Sequence, residues 1–333
     1  MERTVYNSQE GELVDKLLEI VFNSGSPEIK TLVGHKCPDD DTWLCCWIAK
    51  RFIPKAASAT ITFVNAGKTL SGTENDPSVL HFDTGGGEYD QHNKRSWRMS
   101  SAQILVNKLR EKLNLKEPAL RPLVELATAT DNIKRQEATS IHSIIDGYPR
   151  LFKKNGNTDW DVVQGRIFEL FDIVYGQEKQ RVESREKLGR LVEWIKLPNG
   201  IKIAVLFGHP ALREAAFEAG AAVVVWTQDK GGDKFYTGIQ KHRDVDIHLN
   251  GVAANIRWAE SKERGIDASS WNLQYVGLSE KLPWFLHDSE ALIVNGSRGY
   301  PLKENEYTKL KPRQIVAIVR NTLSKLPPIN ASN

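Results

Sequence analysis

Acidic and imidazole side chains cluster in the segment His35-Lys36-Cys37-Pro38-Asp39-Asp40-Asp41, which directly follows the short apolar run 31–34. Hard divalent cations prefer carboxylate oxygens and tolerate an imidazole nitrogen as an additional donor. In an extended loop, Asp39 and Asp41 project on the same side. The segment therefore predicts a divalent-cation site that can serve two ions. An Asp-rich segment is also typical of a solvated turn or a helix N-cap.

Two further clusters follow along the chain. The segment 83–92 reads Asp83-Thr84-Gly85-Gly86-Gly87-Glu88-Tyr89-Asp90-Gln91-His92, and Asp131-Asn132 follows an apolar stretch. The glycines allow close approach of the backbone to a ligand. Taken singly, the glycine run is typical of a plain loop, His92 of a surface residue and Asp131 of a helix cap.

The elements that position these residues are strands alternating with helices. Short β-branched runs at 31–35, 59–64 and 78–83 predict strands, and helical patterns cover 42–52, 100–114 and 118–131. Alternation of this kind predicts an α/β domain with a mainly parallel sheet, in which ligands bind beyond the carboxyl ends of the strands. The acidic clusters lie at those ends.

The second half of the chain predicts another α/β domain. Between 159 and 197 we find no strand signal, and apolar residues recur every three to four positions among charges, which predicts an amphipathic helical linker. Strand patterns return at 201–207, 221–227 and 235–239, with a helix near 210–219. We therefore predict a first α/β domain over 1–158, a helical linker over 159–197 and a second, smaller α/β domain over 198–333.

Composition narrows the class of protein. The 333 residues suggest roughly two domains at about 150 residues each. Hydrophobic residues make up 40% and charged residues 26%, which is typical of a soluble globular protein.

The longest apolar run, 221–226, is too short to span a membrane, and the first residues lack the apolar region of a signal peptide. The three cysteines cannot form a disulfide framework, so we expect an intracellular, cytoplasmic protein.

The clusters together resemble the DHH phosphoesterase superfamily, which includes RecJ-like nucleases, oligoribonucleases, cyclic-dinucleotide phosphodiesterases and family II pyrophosphatases. The resemblance lies in H-x-x-P-D-x-D at 35–41, an Asp at the end of a later strand, D-x-H at 90–92 and D-N at 131–132. The branch of the melanocyte-proliferating-gene exonuclease, a 3′–5′ RNA exonuclease, is the most similar. Its D-x-G-G-x-Y-D, S-S-A and D-N correspond to 83–90, 100–102 and 131–132.

This resemblance implies an α/β fold with a parallel-sheet DHH-type metal domain, joined by a helical linker to a smaller α/β substrate-binding domain. It implies two divalent ions, with Mn²⁺ preferred and Mg²⁺ the alternative. It implies that His35 and Asp39 hold the first ion, that Asp41 and Asp131 hold the second, and that Asp83 bridges both ions. The implied catalytic residues are His92, which contacts the scissile phosphate, with Asp90 and Asp40.

One residue departs from the superfamily pattern. Gln91 stands where the superfamily has the first His of D-H-H, a ligand of the second metal. An amide oxygen is a weaker donor than imidazole for a transition metal. We therefore expect the second site to be weak, to prefer Mg²⁺ or to be absent.

The second domain is expected to hold the substrate. The candidate residues are Arg298 in the turn 295–299, His287 in an aromatic-x-His segment, Arg243 and Arg257, and Gly86 from the first domain. Glycines beside a guanidinium suit a phosphate. Four tryptophans could stack on bases but are more typical of core residues: Trp226, Trp258, Trp271 and Trp284.

These observations favour a metal-dependent phosphodiesterase that hydrolyses RNA, short oligonucleotides or a nucleotide phosphodiester with an activated water. The net charge of +3 fits a short substrate better than a long duplex. Two alternatives remain: a catalytically weakened nucleotide-binding or sensor protein, suggested by Gln91, and a small-molecule phosphatase or pyrophosphatase. We expect no membrane partner and consider a homodimer.

Overall fold

The computed structural model describes residues 28–73, 75–92, 98–132, 137–232, 234–278, 281–296 and 301–328. The chain divides into two compact units, Met1–Lys179 and Gln180–Asn333, which we call unit 1 and unit 2. The described residues include no helix that is both long and apolar enough to cross a lipid bilayer.

Unit 1 is built on a three-stranded parallel sheet. Its strands are β1 (Thr31–His35), β2 (Thr60–Val64) and β3 (Val79–His81), and their order is β2-β1-β3. The hairpin of β4 (Lys153–Lys154) and β5 (Asn157–Thr158) follows later in the chain. The helices are α1 (Asp40–Phe52), α2 (Ser101–Leu113), α3 (Arg121–Asp131), α4 (Ile141–Leu151) and α5 (Trp160–Leu191), with a 3₁₀ turn at Pro118–Leu120.

Strand β1 is the central strand of the unit 1 sheet. Its apolar residues are buried, and both of its edges are paired with other strands. Leu32 and Val33 are fully buried, and Leu32 pairs with Ile61 on one side and Leu80 on the other. Parallel strands that are covered on both faces typically have a continuous run of apolar residues, and β1 has this pattern. The prediction of strands followed by helices is confirmed for this part of the chain.

Helix α1 is the most deeply buried element of unit 1. Its residues from Asp40 to Ala49 are all buried, including Trp43, Trp47 and the neighbours Cys45 and Cys46. A helix that is apolar on several sides packs inside a core rather than along its edge. It packs against α2 and α3 and follows directly from β1, so the end of β1 and the start of α1 are held in a fixed geometry.

The long helix α5 contains the boundary between the two units. Its first half contributes Val163, Ile167, Phe171 and Tyr175 to the core of unit 1, at the four-residue spacing of one helix face. Near its end, Leu188 belongs to a core of unit 2. The helix that was predicted for this part of the chain is present. The predicted absence of strands up to residue 197 is wrong, because residues 193–196 form a strand.

Unit 2 contains a mixed six-stranded sheet in the order β10-β11-β9-β8-β7-β6. The strands are β6 (Glu193–Lys196), β7 (Lys202–Phe207), β8 (Val223–Gly231), β9 (Lys234–Lys241), β10 (Phe285–Leu286) and β11 (Leu292–Asn295). The helices are α6 (Arg213–Glu218), α7 (Asn250–Glu263) and α8 (Pro312–Leu323), with 3₁₀ turns at Pro210–Leu212 and Glu304–Glu306. Among the described strands of this sheet, β7 and β8 form the parallel pair. Unit 2 is α/β as predicted, with mostly antiparallel pairing.

The two faces of this sheet are covered differently. On one face, apolar residues of α7 and α8 form a continuous core with the strands; examples are Val252, Ile256, Ile315 and Val319. On the other face, the short helix α6 packs Ala215 and Ala216 against β7 and β8. The second face is therefore covered by a helix only over part of its width, as far as the described residues show.

Candidate metal centre

The candidate centre lies where neighbouring parallel strands β1 and β3 end. His35 is the last residue of β1, and Asp83 follows β3 by two residues. The backbone after each strand turns sharply, because Cys37 and Asp83 have left-handed conformations with φ of 59° and 57°. Such conformations are costly for residues other than glycine and are concentrated at functional sites. Both turns aim polar side chains at the same point.

The start of α1 positions the acidic residues differently from the prediction. Asp39 is the N-cap of α1, and its Oδ1 accepts a hydrogen bond from the Thr42 N–H at 3.0 Å. Asp40 and Asp41 already belong to the first helical turn. The expectation that Asp39 and Asp41 project on the same side of an extended loop is therefore wrong, because the helix begins between them. The interpretation of Asp39 as an N-cap is confirmed, and its interpretation as a cation ligand stays a prediction.

Three of the five predicted metal ligands come together. One potential ligand atom from each of His35, Asp39 and Asp83 lies within 4.8 Å of the others. The Nε2 atom of His35 is 3.0 Å from Asp83 Oδ2 and 4.0 Å from Asp39 Oδ1. One imidazole nitrogen and two carboxylates are donors that fit a hard divalent cation such as Mn²⁺ or Mg²⁺. The residues present therefore fit one such ion.

A hydrogen bond on the far side of the ring fixes the orientation of the His35 imidazole. Its Nδ1 lies 2.9 Å from the Lys36 carbonyl oxygen, to which it donates. A histidine whose Nδ1–H is bonded in this way presents Nε2 as a ligand atom when it is neutral. The bond to Asp83 raises the pKa of His35 to about 9, against an opposing effect of burial, so a proton and a cation compete for Nε2.

Asp83 is the more deeply buried of the two carboxylates in this group. It is only 3% exposed, and its oxygens accept hydrogen bonds from the Thr42 hydroxyl at 2.9 Å and the Gln91 amide at 2.9 Å. Burial favours its neutral form, but the bonds from His35 and Gln91 outweigh burial and lower its pKa. Burial raises the pKa of Asp39, and the charge of Asp83 raises it further. Mutual repulsion of this kind is what a bound cation relieves.

Gln91 lies between two carboxylates. Its Nε2 donates to Asp83 Oδ1 at 2.9 Å and to Asp131 Oδ2 at 3.0 Å, and its Oε1 lies 2.6 Å from the Ser101 hydroxyl oxygen. Burial and the charge of Asp83 raise the pKa of Asp131 to about 6. The amide N–H group thus lies between two of the carboxylates that the resemblance assigns to a second ion. In this arrangement, the residues do not fit a second cation.

Asp41 also has other partners. Its Oδ2 accepts from the Ser101 N–H at 2.7 Å and its Oδ1 from the Ala102 N–H at 2.9 Å, at the first turn of α2. Burial raises the pKa of Asp41 well above its usual range. A carboxylate at a helix N-terminus satisfies backbone donors that otherwise lack partners. Asp41 therefore ties α1 to α2 beside the centre.

Asp40, which was expected to be catalytic, belongs to a pair that the sequence analysis did not identify. Its Oδ1 lies 3.1 Å from His142 Nδ1 on α4, and its Oδ2 is buried without a hydrogen-bond partner among the described residues. Burial and the charge of Asp39 raise the pKa of Asp40 to about 6. No motif near residue 142 signals this contact, because it joins residues 102 positions apart.

The segment 83–92 forms a loop that Asp90 holds together. The two oxygens of Asp90 accept from the Gly86 N–H at 2.7 Å and the His92 N–H at 2.9 Å. Gly85 and Gly86 have φ of 78° and 66°, which favours glycine. His92 lies at the edge, with a side chain 62% exposed and its Nε2 3.3 Å from Asp83 Oδ1. The His92 imidazole is therefore accessible to solvent beside Asp83.

The residues predicted to bind substrate in unit 2 lie at different places. Arg243 is in an exposed turn 3.8 Å from Asp244, and the exposed His287 contacts Ser289 through Nδ1. Arg298 lies outside the described residues. Arg257 is fully buried, and its guanidinium donates to backbone carbonyl oxygens of Leu273, Tyr275, Gly277 and Trp284. The expectation that Arg257 contacts substrate is wrong, because its donors stabilise the chain around 273–284.

The tryptophans differ in their exposure. Trp284 is fully buried, with its Nε1 donating to Glu260, and Trp226 is 7% exposed. Trp258 is 39% exposed, with the Lys262 ammonium over its ring. The interpretation of these tryptophans as core residues is therefore confirmed for Trp226 and Trp284.

No protein-family model matches the chain, and no curated protein matches it. Among solved structures, the chain is similar to one described as a member of a family of ribosomal proteins with a DHH domain. The identity is 11%, the TM-score is 0.32, and the match covers 98% of this chain and 93% of the other. At these values the match does not assign the chain to a family.

Proposed function

We propose that unit 1 is a divalent-cation-dependent phosphodiesterase that hydrolyses RNA, a short oligonucleotide or a nucleotide phosphodiester. The observation that carries this proposal is the meeting of His35, Asp39 and Asp83 at the ends of two neighbouring strands. The motif resemblance to DHH phosphoesterases supports the same function. Mn²⁺ is the ion we favour, because an imidazole nitrogen is among the donors, and Mg²⁺ is the alternative.

His35, Asp39 and Asp83 would hold the cation, and each is oriented by a second contact. His35 bonds to the Lys36 carbonyl, Asp39 caps α1 and Asp83 accepts from Thr42. A divalent cation bound there supplies positive charge that polarises the phosphoryl group and favours deprotonation of water. Ligands fixed by such contacts need no reorganisation during the reaction.

We assign His92 to the leaving group. Hydrolysis forms a bond from a water oxygen to phosphorus and breaks the bond from phosphorus to the leaving oxygen, which must gain a proton. The His92 imidazole is exposed beside Asp83, and when protonated it can donate that proton. Asp90 is a positioning residue, because it holds the backbone N–H groups of Gly86 and His92.

The small net charge supports a short substrate. Binding a long duplex depends on many contacts between cationic side chains and phosphates, and such proteins carry a strong positive charge. Here the formal charge is +3 over 333 residues. We therefore favour an oligonucleotide or nucleotide over long duplex DNA.

A nucleotide-binding protein without turnover is the second candidate, and Gln91 favours it. The amide holds Asp83 and Asp131 together without a cation. A single cation beside such an amide can bind a phosphate without activating water efficiently. This candidate predicts cation-dependent nucleotide binding and no hydrolysis.

The test is product release from 5′-labelled RNA and DNA oligonucleotides and from cyclic dinucleotides, with Mn²⁺, Mg²⁺ or EDTA. We expect hydrolysis by the wild type with Mn²⁺ and a loss of about 10³-fold or more in Asp83→Asn, because the centre loses a charged ligand. Asp288→Asn, an exposed Asp of unit 2, is the matched control and should keep full activity.

The outcomes separate the candidates. Cation-dependent cleavage that Asp83→Asn removes supports the phosphodiesterase. Binding of the labelled oligonucleotide without cleavage, also lost in Asp83→Asn, supports the binding protein. Equal cleavage by Asp83→Asn and wild type contradicts both, because it places the activity outside this centre.

A further inference from the structure

The partly covered face of the unit 2 sheet carries a cavity of about 990 Å³. Its floor is made by residues of β8, β9 and β11 that share one face, since Trp226 pairs with Gly238 and Leu292 with Gln240. Cavities that bind small molecules are typically between about 300 and 1,000 Å³. Every described lining residue belongs to unit 2, so this cavity is separate from the residues of the metal centre.

The floor of the cavity is shaped by glycine. Trp226 lies flat across Gly238, where an added Cβ would be 1.9 Å from the indole ring. Tyr236 lies against Gly296 in the same way, with an added Cβ only 2.5 Å from its ring. Because glycine has no Cβ, the rings of Trp226 and Tyr236 can pack directly against the backbone at these two positions. The result is a flat floor under an open volume.

A cation held on an aromatic ring faces this cavity. The guanidinium of Arg213 lies 4.4 Å from the centroid of the Trp226 ring and forms no hydrogen bond or salt bridge with another described residue. Burial lowers the pKa of Arg213, and the charge of the adjacent Glu214 opposes that shift. The energetic cost of removing this guanidinium from water is therefore only partly offset by Glu214. A half-buried guanidinium over an indole ring can present its remaining N–H donors to an anion.

Two amides line the same cavity. Gln228 and Gln240 project from β8 and β9 on the face that carries Trp226, and neither side chain forms a hydrogen bond with another described residue. A glutamine amide offers both a donor and an acceptor, which suits the edge of a heterocyclic base. The neighbouring part of the floor is apolar and is formed by Phe285, Leu292 and Val294.

We propose that this cavity is a binding site for a purine nucleoside monophosphate. The phosphate would bind Arg213, and the base would lie in the apolar part of the cavity with its polar edge toward Gln228 and Gln240. A planar ring that carries an anion is the chemistry that matches a flat apolar floor, two available amides and a guanidinium that faces the cavity. This site does not depend on the proposed function of unit 1.

Isothermal titration of the full-length chain with AMP, GMP, UMP, adenosine and inorganic phosphate, in EDTA, tests the proposal. We expect AMP or GMP to bind, adenosine to bind about tenfold more weakly and phosphate alone not to bind at about 1 mM. Arg213→Gln should weaken AMP binding by about tenfold or more without affecting adenosine. Gln228→Leu and Gln240→Leu should reduce the preference between bases.

Controls distinguish this site from others. Arg320→Gln, which removes an exposed guanidinium of α8 on the other face of the unit 2 sheet, should leave AMP affinity in EDTA unchanged, and so should Asp83→Asn in unit 1. Circular dichroism confirms that each variant is folded. The proposal is overturned if no probe binds, if Asp83→Asn abolishes AMP binding or if folded Arg213→Gln binds AMP as well as the wild type. A homodimer that dissociates in Phe285→Asp also overturns it, because the face would then be a subunit interface.

Discussion

At the scale of single residues, Gln91 decides the character of the metal centre. Its amide donates to Asp83 and Asp131 at 2.9 and 3.0 Å, so two carboxylates are held together by hydrogen bonds. An imidazole at this position would offer a lone pair where the amide offers hydrogens. Gln91 thus forms a hydrogen-bonded contact at the place where the resemblance implies a second cation.

Cation stoichiometry follows from this geometry. We expect the wild type to bind one Mn²⁺ per chain and Gln91→His to bind two, because the imidazole removes the bridging donors and adds a ligand. Electron paramagnetic resonance of free Mn²⁺ measures the ratio. Gln274→His, at an exposed position of unit 2, controls for non-specific binding. Two ions in the wild type would mean that the Gln91 amide moves away from Asp131.

The cysteines give a second prediction at this scale. Cys37 is exposed, whereas Cys45 and Cys46 are buried, and burial raises the pKa of Cys46 to about 12. Because the thiolate is the reactive form, a raised pKa leaves Cys46 unreactive at any pH well below that value. We expect a thiol reagent at pH 8 to label one cysteine in the native chain and all of them in denaturant. Native labelling of Cys46, read by peptide mass spectrometry, would contradict this packing.

At the scale of elements, the centre depends on how helices begin. Helix α1 starts with an N-cap that is also a candidate metal ligand, and α2 starts under the carboxylate of Asp41. The first N–H groups of a helix have no partner within it, so a buried helix end needs an acceptor. The acidic residues therefore have structural as well as electrostatic roles.

Asp41→Ala tests the structural role. The substitution leaves the buried N–H groups of Ser101 and Ala102 without acceptors, and we expect a loss of at least about 2 kcal/mol in the free energy of unfolding. Urea denaturation in EDTA measures it without any contribution from a cation. Ser140→Ala, which removes the N-cap of α4, is the comparison and should cost about 1 kcal/mol. Equal effects of the two substitutions would show that Asp41 is no more than an ordinary cap.

At the scale of the whole molecule, the two proposed sites lie in different units. The metal centre uses residues of unit 1, and the aromatic cavity uses residues of unit 2. Each unit has its own buried core. The effects of the two ligands are therefore expected to be local to the unit that binds each one.

Hydrogen–deuterium exchange of the full chain checks this separation. Mn²⁺ should slow exchange at the end of β1, the start of α1 and the segment 83–92, because a bound ligand stabilises the residues that hold it. AMP should slow exchange in β8 and β9 instead. The control uses the Arg213→Gln variant with Mn²⁺ and without AMP. Slower exchange in unit 2 under these conditions would show that the two units are coupled.

Several features followed from the sequence by itself. The β-branched run at 31–35 is strand β1, the helical patterns of 100–114 and 118–131 contain α2 and α3, and three acidic or imidazole residues after the strands come together. These features depend on local preference and on the rule that ligands gather at the carboxyl ends of parallel strands. Both kinds of information are contained in short stretches of residues.

Other features were decided only by the tertiary structure. The partners of Gln91, Asp41 and Asp40 are 8 to 102 positions away, and the short strand 193–196 exists because β7 pairs with it. The cavity on unit 2 requires Gly238 of β9 to lie under Trp226 of β8, and Gly296, just after β11, to lie under Tyr236 of β9. Hydrogen bonds and packing between distant segments depend on how the chain is folded, so the residue types alone do not determine which groups remain available to bind a ligand.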